Sequence, residues 1–176
     1  MKISKHRPGE VSASTDPGQT ARDANLIFIG RIRSPWKQIS DCPKNLVQAR
    51  ERGKSAWVKI NPPWQQGLLG LERFSHIILL HWLHEAQRNF VVQSPSHAPT
   101  PTGVFSLRSP VRPNPISFAA VRILAIDERI GRIDIDAIDC LDNTPLLDIK
   151  PYFASTDSLP AAVITSLKDA TPGAQV

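Results

Sequence analysis

Cysteine is scarce in this chain: Cys42 and Cys140 are the two among 176 residues, far apart and in no CxxC or Cys/His ligand spacing. That excludes a disulfide framework and a zinc site, and it fits a reducing, cytoplasmic setting with no metal. Long apolar runs are missing as well. No stretch reaches the roughly eighteen apolar residues of a membrane helix. The polar opening from Met1 to Asn25 holds no apolar segment of signal-peptide length, so neither membrane insertion nor export is expected. A glycine-rich strand-to-helix turn and a βαβ rhythm are also lacking, which argues against a Rossmann-type cofactor site.

Proline and positive charge are what the chain has in excess. Sixteen prolines in 176 residues exceed the roughly 5% usual for proteins and imply extended, rigid loops with few long helices. Twenty-one Lys and Arg against 16 Asp and Glu give a formal charge of +5, which favours polyanionic partners such as RNA. The length allows one domain with a sizeable core.

Residues 1–25 read as a flexible polar leader, 26–155 as the folded domain, and 156–176 as a short C-terminal extension. Within the domain, Leu26 to Arg33, Ala56 to Ile60, Phe74 to Leu83, Ile116 to Ile126, Arg132 to Ile138 and Leu146 to Ile149 carry strand patterns. The segment from Trp36 to Ser55 is polar, and Gln65 to Glu72 makes a short helix or turn. Residues 85–102 read as one long loop, and Val104 to Leu107 as a short extended piece. Asp127 to Gly131 turns a hairpin between two of the strands. Ile133, Ile135 and Ala137 share one face while Asp134 and Asp136 point to solvent. Ser158 and Pro160 suit the start of a terminal helix of about three turns. About six short strands with few helices predict a mainly β fold, a barrel or sandwich.

Two loops concentrate chemistry. Arg108-Ser109-Pro110-Val111-Arg112-Pro113-Asn114-Pro115 leaves two guanidinium groups and a carboxamide on a proline-stiffened turn, suited to a cofactor carboxylate or an RNA phosphate. The plainer alternative is a rigid turn with solvated arginines. Asp139-Cys140-Leu141-Asp142-Asn143-Thr144-Pro145 offers two carboxylates, an amide and a hydroxyl, able to hold ribose hydroxyls and an adenine edge, or simply to form an Asx turn. Asn61-Pro62-Pro63-Trp64 matches a signature of Rossmann-fold amine methyltransferases, but without the accompanying fold it reads better as a strand-ending loop. His76, His81 and His84 do not gather on one face of a strand, so no metal triad is expected. Trp36, Trp57, Trp64 and Trp82 are either core or base-stacking residues.

Several separated motifs then agree in order: Ile29-Gly30-Arg31-Ile32-Arg33-Ser34-Pro35, Gly67 through His76, Gly103-Val104-Phe105 through Arg108-Ser109-Pro110, Arg112-Pro113-Asn114-Pro115-Ile116, and Leu147 through Tyr152. Over Ile27 to Phe153 the chain resembles the TsaA/TrmO family. The resemblance implies a single antiparallel β-barrel methyltransferase, homodimeric, that binds S-adenosylmethionine outside a Rossmann fold and methylates N6 of threonylcarbamoylated adenosine 37 in tRNA. It places cofactor contacts at Pro43, Lys44, Asn45, His84, Glu85, Arg108 and Phe118, and at Cys140, Leu141, Asp142, Asn143 and Thr144. Lys44 and Asn45 stand where relatives carry Arg-Gln, Asn143 where they carry Gly, and Phe118 where they carry a smaller aliphatic or Met. Asn143 can supply the left-handed turn that Gly supplies.

Methyl transfer needs alignment and an acceptor for the N–H of a weakly nucleophilic amine, for which Asn114, Asp139 and Asp142 are the candidates. Arg31, Arg33, Lys37, Arg112 and Lys150 are the candidate RNA contacts. The alternatives are a non-catalytic barrel that binds S-adenosylmethionine or RNA, and a methyltransferase with a different acceptor.

Overall fold

The computed structural model describes residues 7–13, 24–95 and 100–164. Among them are nine strands: β1 (Val11–Ser12), β2 (Gly30–Arg33), β3 (Ala56–Ile60), β4 (His76–Trp82), β5 (Phe90–Gln93), β6 (Thr102–Gly103), β7 (Ile116–Asp127), β8 (Arg132–Ile135) and β9 (Thr144–Pro151). Helix is limited to α1 (Leu46–Glu51), α2 (Ala154–Asp157) and single 3-10 turns. Six strands close a barrel in the order β2-β3-β8-β7-β4-β9, with β9 returning to β2 and every neighbouring pair antiparallel.

Period-two patterning decides what fills the barrel. Ile32, Val58, Ile77, Leu79, Ile133, Ile135 and Leu146 are fully buried, each contributing about 1.5–3 kcal/mol by leaving water. Residues between them, such as Arg31, Trp57, Lys59 and Asp134, alternate onto the outer face. Gly30 marks a close approach of backbones, since a Cβ there would stand 2.1 Å from the Lys59 carbonyl oxygen. The twelve-residue β7 pairs with β4 through Arg122 and then with β8 from Ile123, with a bulge between Ile123 and Ala125. That bend lets one strand serve two neighbours and close the barrel.

His81 shares the inner face of β4 with Ile77 and Leu79 and is fully buried, with no hydrogen-bond partner at either ring nitrogen. Burial pushes its pKa down to about 4. The Leu79 backbone opposes this weakly without reaching hydrogen-bond geometry.

Several sequence expectations need correction. The first barrel strand starts at Gly30; Leu26 to Phe28 are exposed and carry no ladder. Part of the leader is ordered, because Val11 and Ser12 pair with β5 while Arg7 Nη1 donates to the Ser94 carbonyl at 3.0 Å. Residues 1–6 and 14–23 lie outside the described residues. The long loop after Glu85 contains β5, anchored by buried Phe90, and ends in β6; the Phe-Val-Val core of β5 was hidden by surrounding proline and serine. Val104–Ser106 is a 3-10 turn rather than extended. The polar segment after Trp36 forms α1, whose buried Ala49 is its main anchor and whose N-cap is Asn45. Helix also comes earlier at the C-terminal side than Pro160, as α2, and residues 165–176 lie outside the described residues.

Candidate active site

One mouth of the barrel is bounded by Arg33 of β2, Ala56 of β3, Trp82 of β4, Ile116 of β7 and Thr144 of β9. The β8–β9 connection crosses it, burying Ala137, Ile138 and Cys140 against the core. This connection is tied to the chain after β2 at four points. Trp36 Nε1 donates to the Ile138 carbonyl at 2.8 Å, Ser34 Oγ to the Cys140 carbonyl at 2.8 Å, and Asp142 N to the Trp36 carbonyl at 2.7 Å. The fourth tie is the Asp142 carboxylate, which receives Arg33 Nε at 2.9 Å, Arg33 Nη2 at 3.1 Å, Ser34 N at 3.1 Å and Lys37 Nζ at 2.6 Å.

Burial alone would raise the Asp142 carboxyl, but the hydrogen bonds from Arg33, Lys37 and Ser34 outweigh it and pull the pKa down to about 2. Asp142 is therefore a poor proton acceptor, and its place as a candidate base gives way to the role of a clamp. Asn143 follows with φ 65°, the left-handed turn, its carbonyl accepting from Arg31 Nη1 at 3.2 Å. Thr144 Oγ1 closes the turn on the Leu141 carbonyl at 2.7 Å. The Thr144 hydroxyl thus closes the turn, while the Asp142 carboxylate reaches Ser34 N outside the loop and makes no Asx turn.

Asp139 differs from Asp142. Burial raises its carboxyl, and its own backbone N–H and the Arg108 charge only partly offset this. Cys42 is likewise raised by burial, then by the nearby charges of Asp139, Asp41 and Glu85, with Arg52 opposing. Glu85 follows the rim residue Trp82 along the chain, and Asp139 lies on the connection that crosses the mouth. Cys42 and Cys140 are both free thiols. His84 Nε2 stands 3.9 Å from Glu85 Oε1, both on the loop leaving β4.

The proline-stiffened loop divides its labour. Arg112 turns inward, donating to the Ser109 and Val104 carbonyls at 3.0 Å each and to the Leu107 carbonyl, so it braces the loop and leaves little for RNA. Arg108 is exposed. Asn114 Oδ1 accepts from Arg88 Nη2 at 3.3 Å, and Arg88 lies over the Trp82 ring at 5.1 Å while donating to the Pro113 carbonyl at 2.7 Å. Arg88 was not foreseen from sequence, and neither was the loop-tying role of Ser34 and buried Trp36, whose partners stand about a hundred residues away. Asn45 caps α1, its Oδ1 accepting from Gln48 N at 2.9 Å, while Lys44 N donates to Gln48 Oε1 at 3.0 Å. Pro43 beside them is buried. Phe118 stands on the outer face of β7 opposite Leu80, 46% exposed.

Of the RNA candidates, Arg31, Arg33 and Lys37 share the rim of this mouth. Lys150 does not: it pairs with Asp148 at 2.8 Å and lies five residues along β9 from Pro145, about 17 Å away. The other mouth opens into a cleft of ≈ 430 Å³ lined mainly by apolar residues such as Ile29, Leu68, Leu71 and Phe74. Its charged residues are Asp148, paired with Lys150, and Arg73, which donates to the Gly70 carbonyl at 3.3 Å, so that cleft lacks the convergent polar groups of the first mouth. Among the described residues no group of three or more His, Cys, Asp or Glu could hold a metal ion, and no helix is long and apolar enough to cross a membrane. Asn61-Pro62-Pro63-Trp64 is a turn at this second mouth, with Trp64 N donating to the Asn61 carbonyl at 2.9 Å.

A closed antiparallel barrel with a rigid polar loop and a guanidinium loop at one mouth defines a non-Rossmann binding fold of one class. Residues 31–158 match the tRNA-methyltransferase O N-terminal domain, and the chain belongs to that family. It is 46% identical over 131 residues to the probable S-adenosyl-L-methionine-binding protein VirR of Rhizobium radiobacter, covering 73% of this chain and 71% of the relative. It is 40% identical over 108 residues to human tRNA (adenine(37)-N6)-methyltransferase, covering 60% of this chain and 24% of that protein. The crystal structure of TrmO from Pseudomonas aeruginosa superposes with a TM-score of 0.64 at 31% identity, over 82% of this chain and 62% of that one. The chain therefore spans less than two thirds of that TrmO structure and about a quarter of the human enzyme.

The donor set fits S-adenosylmethionine. Arg108 offers an exposed guanidinium for a carboxylate, the Cys140 to Thr144 ledge offers backbone groups for an adenine edge, and Phe118 offers an exposed ring beside the mouth.

Proposed function

We propose that this protein is an S-adenosylmethionine-dependent tRNA methyltransferase acting on N6 of threonylcarbamoylated adenosine 37, as a cytoplasmic homodimer. The carrying observation is the mouth itself: Asp142 locks the loop that bears Asp139 and the Cys140 to Thr144 ledge, and the Arg108 charge acts on the Asp139 carboxyl. Family membership supports the chemistry, and the mouse and human relatives, tRNA (adenine(37)-N6)-methyltransferases, support the acceptor.

When bound, the cofactor would supply an already activated methyl group. Arg108 would hold its carboxylate, Phe118 and the Cys140 to Thr144 backbone its adenosine half, with Pro43, Lys44, Asn45, His84 and Glu85 framing the entry. Asn45 would contribute through its backbone, because its side chain already caps α1. Asp139, the less stabilised of the two carboxylates, is the proton acceptor for the amine N–H as charge develops. Asn114, tethered by Arg88, is a positioning residue for the Arg108 loop. Half-buried Arg31 and Arg33 and exposed Lys37 would lead the RNA to the rim.

Isothermal titration of the purified protein with S-adenosylmethionine tests the site. Saturable binding that weakens in Arg108→Gln is expected; no heat of binding by the intact chain would contradict the assignment.

A further inference from the structure

The outer face of β2, β3 and β8 touches the cofactor loop only through Arg31 and Arg33, yet its composition is unusual for a barrel wall. In register across the three strands run Arg31, Lys59 and Arg132, and beside them Arg33, Trp57 and Asp134. With Lys37 at the edge, five cations meet two carboxylates, Asp134 and Asp142. Adjacent strands are about 4.8 Å apart and alternate residues about 6.8 Å, so the patch measures roughly 10 by 7 Å.

These cations are held in place. The Arg132 guanidinium lies 4.5 Å from the Trp57 ring centroid and that of Arg33 at 5.8 Å, so one tryptophan is a shelf for two arginines. Asp134 Oδ1 receives Arg132 Nε at 3.0 Å and Nη2 at 2.6 Å, and Asp142 takes Arg33 Nε and Nη2 on its two separate oxygens. Lys59 Nζ donates to the Ile130 carbonyl. Arg33 and Arg132 nevertheless keep 42% and 39% of their side-chain surface in solvent. A charge that is fixed and still exposed loses little entropy on meeting a partner. Flat guanidinium planes also take stacked bases, while their unengaged N–H groups remain for phosphate.

The patch adjoins the candidate cofactor loop, because Arg31 holds the Asn143 carbonyl and Arg33 holds Asp142. We infer that the β2-β3-β8 face is an RNA-docking platform, with Lys59 and Arg132 as phosphate and base contacts and Trp57 as the residue that orients the guanidiniums. The inference rests on the proposed tRNA methyltransferase reading and extends it from the rim along the outer face of β3 and β8. Charge complementarity and the stacked guanidinium planes favour RNA over an acidic protein surface.

Binding of unfractionated tRNA, measured by fluorescence anisotropy from 50 to 300 mM salt, tests it in Lys59→Gln/Arg132→Gln and in Trp57→Leu, with S-adenosylmethionine titrations on the same samples. The double variant is expected to bind tRNA at least about tenfold more weakly, with its log–log salt slope reduced by about 1.5, while cofactor affinity stays at the parent's value. Trp57→Leu removes no charge and should lose affinity with the slope kept. If the parent binds tRNA and the double variant matches it in affinity and slope, the inference is overturned and the face falls to an acidic protein partner, with the proposed function intact. A parent that binds cofactor but no tRNA overturns both the acceptor assignment and the platform.

Discussion

Asp139→Asn is expected to lower methyl-transfer turnover by about 10²- to 10⁴-fold, the range associated with loss of a positioned proton acceptor. The exocyclic amine gains positive character as it attacks, and a carboxylate held near its N–H stabilises that charge where an amide does so poorly. Cofactor affinity should stay within about threefold, because Asp139 is assigned to the acceptor and not to the cofactor. Folding should be unharmed or slightly improved, since burial already disfavours the charged Asp139 carboxyl. Asp142→Asn should behave in the opposite way, losing cofactor affinity and thermal stability, because it opens the clamp of Arg33, Lys37 and Ser34 on the loop. Steady-state kinetics with calorimetry on both variants separates the roles; full turnover by Asp139→Asn would remove it as the acceptor.

The second large effect concerns His81, whose imidazole sits uncharged and without partners inside the barrel. Its folded pKa is lowered to about 4 from the usual 6.5, so between those values the unfolded chain binds a proton that the folded protein does not. Stability therefore falls as pH drops through that window, and the total loss attributable to this residue is about 3 kcal/mol, nearly complete by about pH 4.5. His81→Leu removes both the titration and two unpaired polar atoms. Urea melts should show the variant about 1 kcal/mol more stable at pH 7 and several kcal/mol more stable at pH 4.5. Parallel pH dependence in parent and variant would contradict this account.

The strands that build the barrel were legible because alternation exposes itself in sequence: Ala56 to Ile60 was found to the residue, and the β7–β8 hairpin by its turn. Strands lacking such a signal were missed. β1 and β6 have two residues each, too few for any period, and β5 is a four-residue island in a proline- and serine-rich stretch. In the same way the two chemical loops were recognisable by composition, but the difference between Asp139 and Asp142 was not. It depends on Arg33, Ser34 and Lys37, more than a hundred residues earlier in the chain, and on burial that only the closed barrel creates. Arg112 and Arg33 illustrate the same point, since guanidiniums alike in sequence become an internal brace in a loop and a half-exposed cation clamped on Asp142 at the end of a strand.

Transfer of a labelled methyl group from S-adenosylmethionine to tRNA, taken from cells lacking this gene and digested to nucleosides, tests the central claim most directly. Label in threonylcarbamoylated adenosine carrying a methyl on N6 is the result predicted. Cofactor binding by the same preparation with no label in any tRNA nucleoside would contradict it.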